Sequence, residues 1–211
     1  MIDFNLYLIT DRKQVRGASL YRVIEEALIG GVKAVQLREK DLSSRNLYTA
    51  ACEMRELTAR FGARLIINDR VDIALAVAAD GVHLGGESMP VAVARKILGA
   101  EKLIGVSCHD QLSALAAQQD GADFITFGPV YPTPSKASYG DPVGLAKLAE
   151  TTKILRIPVF ALGGIGPGNA GEAITCGAHG IALISAIIAA EQPGLEAAKL
   201  LSLLPSLQQN G

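Results

Sequence analysis

With 49% apolar and 19% charged residues over 211 positions, the chain has the balance of one soluble globular domain with a sizeable core. Its 20 basic and 21 acidic residues nearly cancel, Trp is absent and aromatics make up 5%, which argues against nucleic-acid binding by charge or by base stacking. No run reaches the about 18 apolar residues of a membrane span, no charged-then-apolar leader opens the chain, and Cys52, Cys108 and Cys176 share no metal-ligand spacing, as expected of reduced thiols in a cytoplasmic protein.

Short apolar runs alternate with helix-period stretches from end to end. The runs predict strands over Leu6–Ile9, Ala34–Leu37, Arg64–Ile67, Gly81–Leu84, Leu103–Val106, Phe124–Phe127, Pro158–Leu162 and Gly180–Ile184. Leu20, Val23, Ile24, Ala27 and Leu28 share one helix face, and Leu47, Ala50, Ala51, Met54 and Leu57 share the next. Gly30-Gly31, Gly99, Gly121 and Gly177 stand where left-handed helix caps suit glycine, and Pro90 and Pro167 where helices start. The passages Gly31-Val32-Lys33-Ala34, Ala79-Asp80-Gly81, Gly121-Ala122-Asp123-Phe124 and Gly177-Ala178-His179-Gly180 echo one another roughly every 40–55 residues. Strands separated by helices run parallel, because the crossover cannot be a hairpin. Such units in series predict an α/β fold, a single (β/α)8 TIM barrel covering residues 1–211, with a doubly wound open sheet as the alternative. The tail 206–211 is expected to fray.

In such a barrel the site lies where the strands end, so the polar residues there are read in chain order. After the second strand, alternation sends Gln36, Arg38 and Lys40 one way and Leu37 and Glu39 the other, which places an amide, a guanidinium and an ammonium at the mouth as an anion site. After the third come Asn68 and Asp69. Asp69 suits Mg²⁺, or else the pair caps a helix over Arg70–Ala78. After the fourth, His83 reads as a hydrogen-bonded inner residue, Ser88 as a helix cap and Glu87 as a spare carboxylate. After the fifth, Ser107 is a site-facing hydroxyl, Cys108 is structural, His109 is a candidate proton carrier and Asp110 caps the next helix.

The stretch Phe127-Gly128-Pro129 through Lys136 follows the sixth strand. Its Thr133, Ser135 and Lys136 carry two hydroxyls and an ammonium on a proline-stiffened loop, the donors a phosphate needs; an ordinary turn would read the same. Gly163-Gly164 after the seventh strand, and a short helix beginning at Ile184-Ser185 after the eighth, occupy the positions of a barrel phosphate site.

Read together, Tyr7-Leu8-Ile9-Thr10-Asp11, Gln36-Leu37-Arg38-Glu39-Lys40, Ile67-Asn68-Asp69-Arg70-Val71-Asp72, Gly105-Val106-Ser107, the loop through Lys136, Leu162-Gly163-Gly164-Ile165 and Ser185-Ala186-Ile187 resemble the thiamine-phosphate synthases and their sister group, the thiazole tautomerases. The resemblance implies a TIM barrel that joins hydroxymethylpyrimidine diphosphate to hydroxyethylthiazole phosphate with Mg²⁺. It implies that Gln36, Arg38, Lys40, Asn68 and Lys136 bind the pyrimidine diphosphate and that Asp69 ligates the metal. Thr133, Ser135, Gly164 and the Ile184-Ser185 backbone would bind the thiazole phosphate, and Ser107 would lie near the reacting centre. The partners would then be small phosphorylated substrates, with no nucleic acid and no membrane; outward apolar helix faces suggest a homo-oligomer of unspecified symmetry.

One segment departs from the pattern. Synthases usually read His-x-Gly-Gln-x-Asp after the fourth strand, with the Asp as second metal ligand, whereas here Gly86 and Ser88 stand at the Gln and Asp positions. The loss points toward a tautomerase using His109, or a catalytically silent phosphate-ligand binding or regulatory protein. The charge-matched Arg38, Lys40, Lys136 and Asp69 point toward a synthase.

Overall fold

The computed structural model describes residues 2–133 and 141–206. Strands β1 (Leu6–Ile9), β2 (Ala34–Leu37), β3 (Arg64–Asn68), β4 (Gly81–Leu84), β5 (Leu103–Cys108), β6 (Phe124–Phe127), β7 (Val159–Leu162) and β8 (Gly180–Leu183) are all parallel. They close into a barrel in chain order, with β8 pairing back on β1. Around them run α1 (Leu20–Ile29), α2 (Ser44–Arg60), α3 (Val71–Ala76), α4 (Val91–Leu98), α5 (Gln111–Gln119), α6 (Gly144–Ile154), α7 (Ala170–Thr175), α8 (Ser185–Ile188) and α9 (Pro193–Ser202). The expected (β/α)8 barrel is the fold. Among the described residues no helix is long and apolar enough to cross a membrane.

Alternation along each strand sorts the apolar residues into two layers. Leu8, Val35, Leu37, Leu65, Ile67, Ile125 and Ile181 face outward and pack under the helices. Tyr7, Ile9, Ala34, Ile66, Phe124, Phe160 and Ala182 face inward and fill the barrel. The inward layer is a stack of rings, with Phe124 edge-on to Phe4, Tyr7 and Phe160 at centroid separations of 5.4–5.7 Å. Cutting one of these Phe rings back to Ala would cost about 3–5 kcal/mol. The predicted helix faces are the buried ones: α1 buries Val23, Ile24, Ala27 and Leu28, and α2 buries Leu47, Ala51, Met54 and Leu57. Ser19 and Ser43 cap these helices through their hydroxyls.

Several element boundaries differ from those the sequence predicts. β3 continues to Asn68, which pairs with His83, and β5 continues to Cys108, with Ser107 opposite Thr126. Asn68 and Ser107 are therefore strand residues, not loop residues. Helix α3 starts at Val71, and neither Asn68 nor Asp69 caps it: Arg70 is the N-cap and makes no side-chain cap bond. Ser88 caps nothing either. Its hydroxyl accepts the Gly85 N–H at 2.7 Å, and α4 starts from Pro90 without a side-chain cap. Asp110 does cap α5, accepting the Ser113 N–H at 2.7 Å. Pro167 lies in the turn before α7, and Ser206 is exposed while 207–211 fall outside the described residues.

The amino-terminal ends of the strands are stitched by charge. Asp80 accepts the Leu65 N–H and the guanidinium of Arg55, and pairs with Arg64, which also holds Asp3. Asp123 accepts the Ile104 N–H at 2.7 Å and Arg95 at 2.5 Å, while Lys102 donates to the Ala79 carbonyl. Lys33 donates to the Phe61 carbonyl, and the His179 ring is bonded to the Phe4 carbonyl. Lys33, Asp80, Asp123 and His179 occupy the same step of the sequence echo, so that repeat is the signature of this lower seam.

Candidate active site

A chain of polar side chains crosses the barrel just above the ring stack. Gln36 Nε2 donates to the Tyr7 hydroxyl at 3.0 Å, and that hydroxyl lies 3.4 Å from His83 Nδ1. On the far side of the imidazole, Nε2 sits 3.0 Å from Ser107 Oγ, and Thr126 Oγ1 is 3.4 Å from both. Gln36, Tyr7, His83 and Thr126 are buried, and Ser107 is half-buried. Burial pushes the His83 pKa down to about 3, with the positive charge of Arg38 adding to the effect, so the imidazole is neutral at pH 7. Burial likewise pushes the Tyr7 phenol up and keeps it protonated. Gly105 makes room for this arrangement: a Cβ there would meet His83 Nδ1 at 2.5 Å.

Arg38 continues the inward side of β2 and stands half-buried above His83, while Lys40 is exposed on the following loop. No hydrogen bond or ion pair among the described residues engages either cationic head. Glu39, pointing the other way as alternation requires, is 5% exposed and braces the loop. It accepts the Arg12 backbone N–H at 3.1 Å and the Arg12 guanidinium at 2.9 Å, and Arg12 reaches on to Asp41 at 2.6 Å.

Asp69 and Ser88 line one hollow together with Glu87. Asp69 has left-handed backbone (φ 66°), with its N–H bound to the His83 carbonyl at 2.9 Å. Its neighbour Arg70 turns instead to Asp72, so the Asp69 carboxylate is exposed and without an ion-pair partner among the described residues. The donor set is hard oxygen, which suits Mg²⁺. It is also sparse: among the described residues no three His, Cys, Asp or Glu are grouped to hold a metal. These residues fit a cation whose remaining positions are filled by substrate oxygens and water.

On the opposite rim a cavity is lined by Thr133, Gly164, Ile184 and Ser185, and also by His109, whose Nδ1 is bonded to the Gly128 carbonyl. The sixth loop lies against the seventh, with Val130 N–H on the Leu162 carbonyl and Tyr131 N–H on that of Gly163. The Gly-Gly pair permits this: Gly163 and Gly164 have φ 96° and 66°, and a Cβ on Gly164 would meet Tyr131 Cβ at 2.7 Å. Tyr131 adds a 2.6 Å hydrogen bond to Glu172 of α7. The predicted short helix α8 starts at Ser185. Ser135 and Lys136 lie outside the described residues. Cys108 is buried, its thiol pushed up to about 12 by burial, which removes it as a nucleophile.

The structure thus gathers Gln36, Arg38, Asn68 and Ser107 inside the mouth, Asp69 and Ser88 in one hollow, and Thr133, Gly164, Ile184 and Ser185 around another. Sequence reading did not single out Tyr7, Thr126, Gly105 or Arg12. Tyr7 sits in the inward ring layer and Thr126 at the next inward position beyond Phe124, so a hydroxyl at an inward strand position was the available signal.

A closed parallel barrel with a cavity at the carboxyl ends of its strands, beside cations that have no ion-pair partner among the described residues, has the layout of a (β/α)8-barrel enzyme. A family model described as thiamine monophosphate synthase matches residues 6–187. A Geobacter sulfurreducens protein provisionally named thiamine-phosphate synthase is 65% identical over 204 residues, 97% of this chain and 96% of that protein. The thiamine-phosphate synthase of Chloroflexus aurantiacus is 45% identical, with 99% of this chain and 96% of that protein covered. The solved structure of the thiamine phosphate pyrophosphorylase from Pyrococcus furiosus superposes with a TM-score of 0.86 at 38% identity, covering 95% of each chain. The chain belongs to the thiamine monophosphate synthase family.

Proposed function

We propose that the chain is a transferase, a thiamine-phosphate synthase that condenses hydroxymethylpyrimidine diphosphate with hydroxyethylthiazole phosphate, releasing pyrophosphate. The observation that carries the choice over a tautomerase or a silent binding protein is identity of 45% across nearly full length to a protein named for that activity. Arg38 and Lys40, which have no ion-pair partner among the described residues, agree with it, since a carboxythiazole isomerisation has no diphosphate to hold.

In this reading Arg38 and Lys40, with Lys136 from the sixth loop, bind the diphosphate and stabilise the charge it gains on leaving. Gln36 and Asn68 orient the pyrimidine, and Ser107 lies beside the carbon whose C–O bond breaks. Thr133, Ser135, Gly164 and the Ile184-Ser185 backbone hold the thiazole phosphate, so that the thiazole nitrogen faces the benzylic-type cation left behind. Asp69 would hold Mg²⁺, with Glu87 in the same hollow where Ser88 cannot ligate as an Asp would; the ion would neutralise diphosphate charge. The protein supplies alignment and charge, and no side-chain nucleophile is needed, in keeping with an inert Cys108. Small phosphorylated substrates, a cytoplasmic location and a homo-oligomer belong to the same reading. Purified protein incubated with both substrates and Mg²⁺ should form thiamine phosphate and pyrophosphate, and chelation should abolish both. Absence of product at every metal concentration refutes the proposal.

A further inference from the structure

Protons in the buried chain Gln36–Tyr7–His83–Ser107–Thr126 can be counted. The Tyr7 oxygen accepts from Gln36 Nε2 at 3.0 Å, so its own proton needs an acceptor. Tyr7 is fully buried, and a phenol proton left unpaired there would be strongly disfavoured. The atom within reach is His83 Nδ1, at 3.4 Å. Among the described residues no carboxylate takes part in the hydrogen bonds of the ring, and its charged neighbour is the Arg38 guanidinium, so the ring carries one proton. If Nδ1 accepts, that proton is on Nε2 and is donated to Ser107 Oγ at 3.0 Å. Thr126 Oγ1 lies 3.4 Å from the same oxygen and is positioned to donate to it. Ser107 Oγ then receives two hydrogen bonds from inside the barrel. Its own proton is directed to the half-exposed side, where water or substrate can accept it. The opposite tautomer would leave the phenol proton stranded in the core and draw the Ser107 proton inward.

We infer that Tyr7, His83 and Thr126 are positioning residues that fix Ser107 as a hydrogen-bond donor toward the barrel mouth. The tautomer stands on geometry alone; its consequence for turnover rests on the synthase reading. The ligand addressed is a lone pair on the substrate at the reacting centre. The relay is one-way because its closed end is buried and its open end is not, so a ligand at the mouth meets a pre-set donor whose orientation costs nothing at the moment of reaction.

Two measurements test this separately. In protein carrying ¹⁵N-labelled histidine, assigned by comparison with His83→Gln, the long-range ¹⁵N–¹H spectrum at pH 7.5 should show His83 with its proton on Nε2. A proton on Nδ1 overturns the inference whatever the activity. In steady-state kinetics, Tyr7→Phe and the isosteric Thr126→Val should each lower kcat, Tyr7→Phe by about tenfold, with KM little changed. Neither should lower it further once Ser107→Ala is present, because the relay acts through that hydroxyl. Losses that multiply in the Ser107→Ala background would show merely structural roles and contradict it. Absence of all activity in the unmutated protein would instead refute the synthase reading and leave the tautomer result standing.

Discussion

The two ends of the barrel carry similar charges and treat them in opposite ways. At the amino-terminal end Asp80, Asp123, Arg55, Arg64, Arg95 and Lys102 are each bonded to a partner across a strand or helix junction. At the carboxyl end Arg38, Lys40, Asp69 and Glu87 have no ion-pair partner among the described residues, although Glu39, between the two cations, is fully engaged by Arg12. The lower seam is where a charge change should affect stability, and the mouth is where it should affect turnover.

That contrast can be broken at either end. Arg38→Ala should lower kcat/KM by about 10²–10³-fold, the loss expected when a charge-matched donor to a leaving group is removed, with thermal stability little changed. Loss of stability on the scale of a core mutant would mean that Arg38 belongs to the fold. At the seam, Asp123→Ala strips the partner from the Ile104 N–H and from Arg95. It should cost about 2–3 kcal/mol of unfolding free energy, measured by urea titration, and leave kcat/KM within about twofold at permissive temperature. A smaller effect concerns the neutral His83. Its folded pKa of about 3 lies below the unfolded value of 6.5, so below 6.5 the unfolded chain takes up a proton that the folded chain refuses. The stability is intact above pH 6.5 and falls as pH drops toward about 3, by about 1.4 kcal/mol at pH 5.5. His83→Gln should lack this part of the acid slope; equal slopes would mean the imidazole is protonated in the folded state. The smallest effect is expected at Cys108, which should resist thiol reagents in the folded protein, and Cys108→Ala should leave turnover unchanged.

The strands were legible because the barrel buries both faces of each one, leaving apolar runs, and because its helices show period and caps. The echo at Lys33, Asp80, Asp123 and His179 was legible as a repeat but not as a seam, since its partners Arg55, Arg64 and Arg95 are far away in sequence. Alternation correctly sent Gln36 and Arg38 inward and Glu39 outward. It was silent on Asp69, for which metal binding and helix capping stood as alternatives; a left-handed backbone pinned by the His83 carbonyl turns its carboxylate out and leaves the cap unmade. Ser88 was misread as a helix cap because the competing acceptor role, toward Gly85, depends on a turn within the loop. Tyr7 and Thr126 were missed since a single hydroxyl in an apolar strand shows its purpose only when the barrel closes and brings β1, β4, β5 and β6 together.

The division of labour between the two ends is tested most directly by binding of pyrophosphate, followed calorimetrically in the presence of Mg²⁺. Wild-type protein should bind it, Arg38→Ala and Lys40→Ala should each weaken binding at least about tenfold, and Arg64→Ala at the seam should leave it unchanged. Binding that survives both mouth substitutions, or that is lost with Arg64, would contradict the assignment of the unpaired cations to the diphosphate.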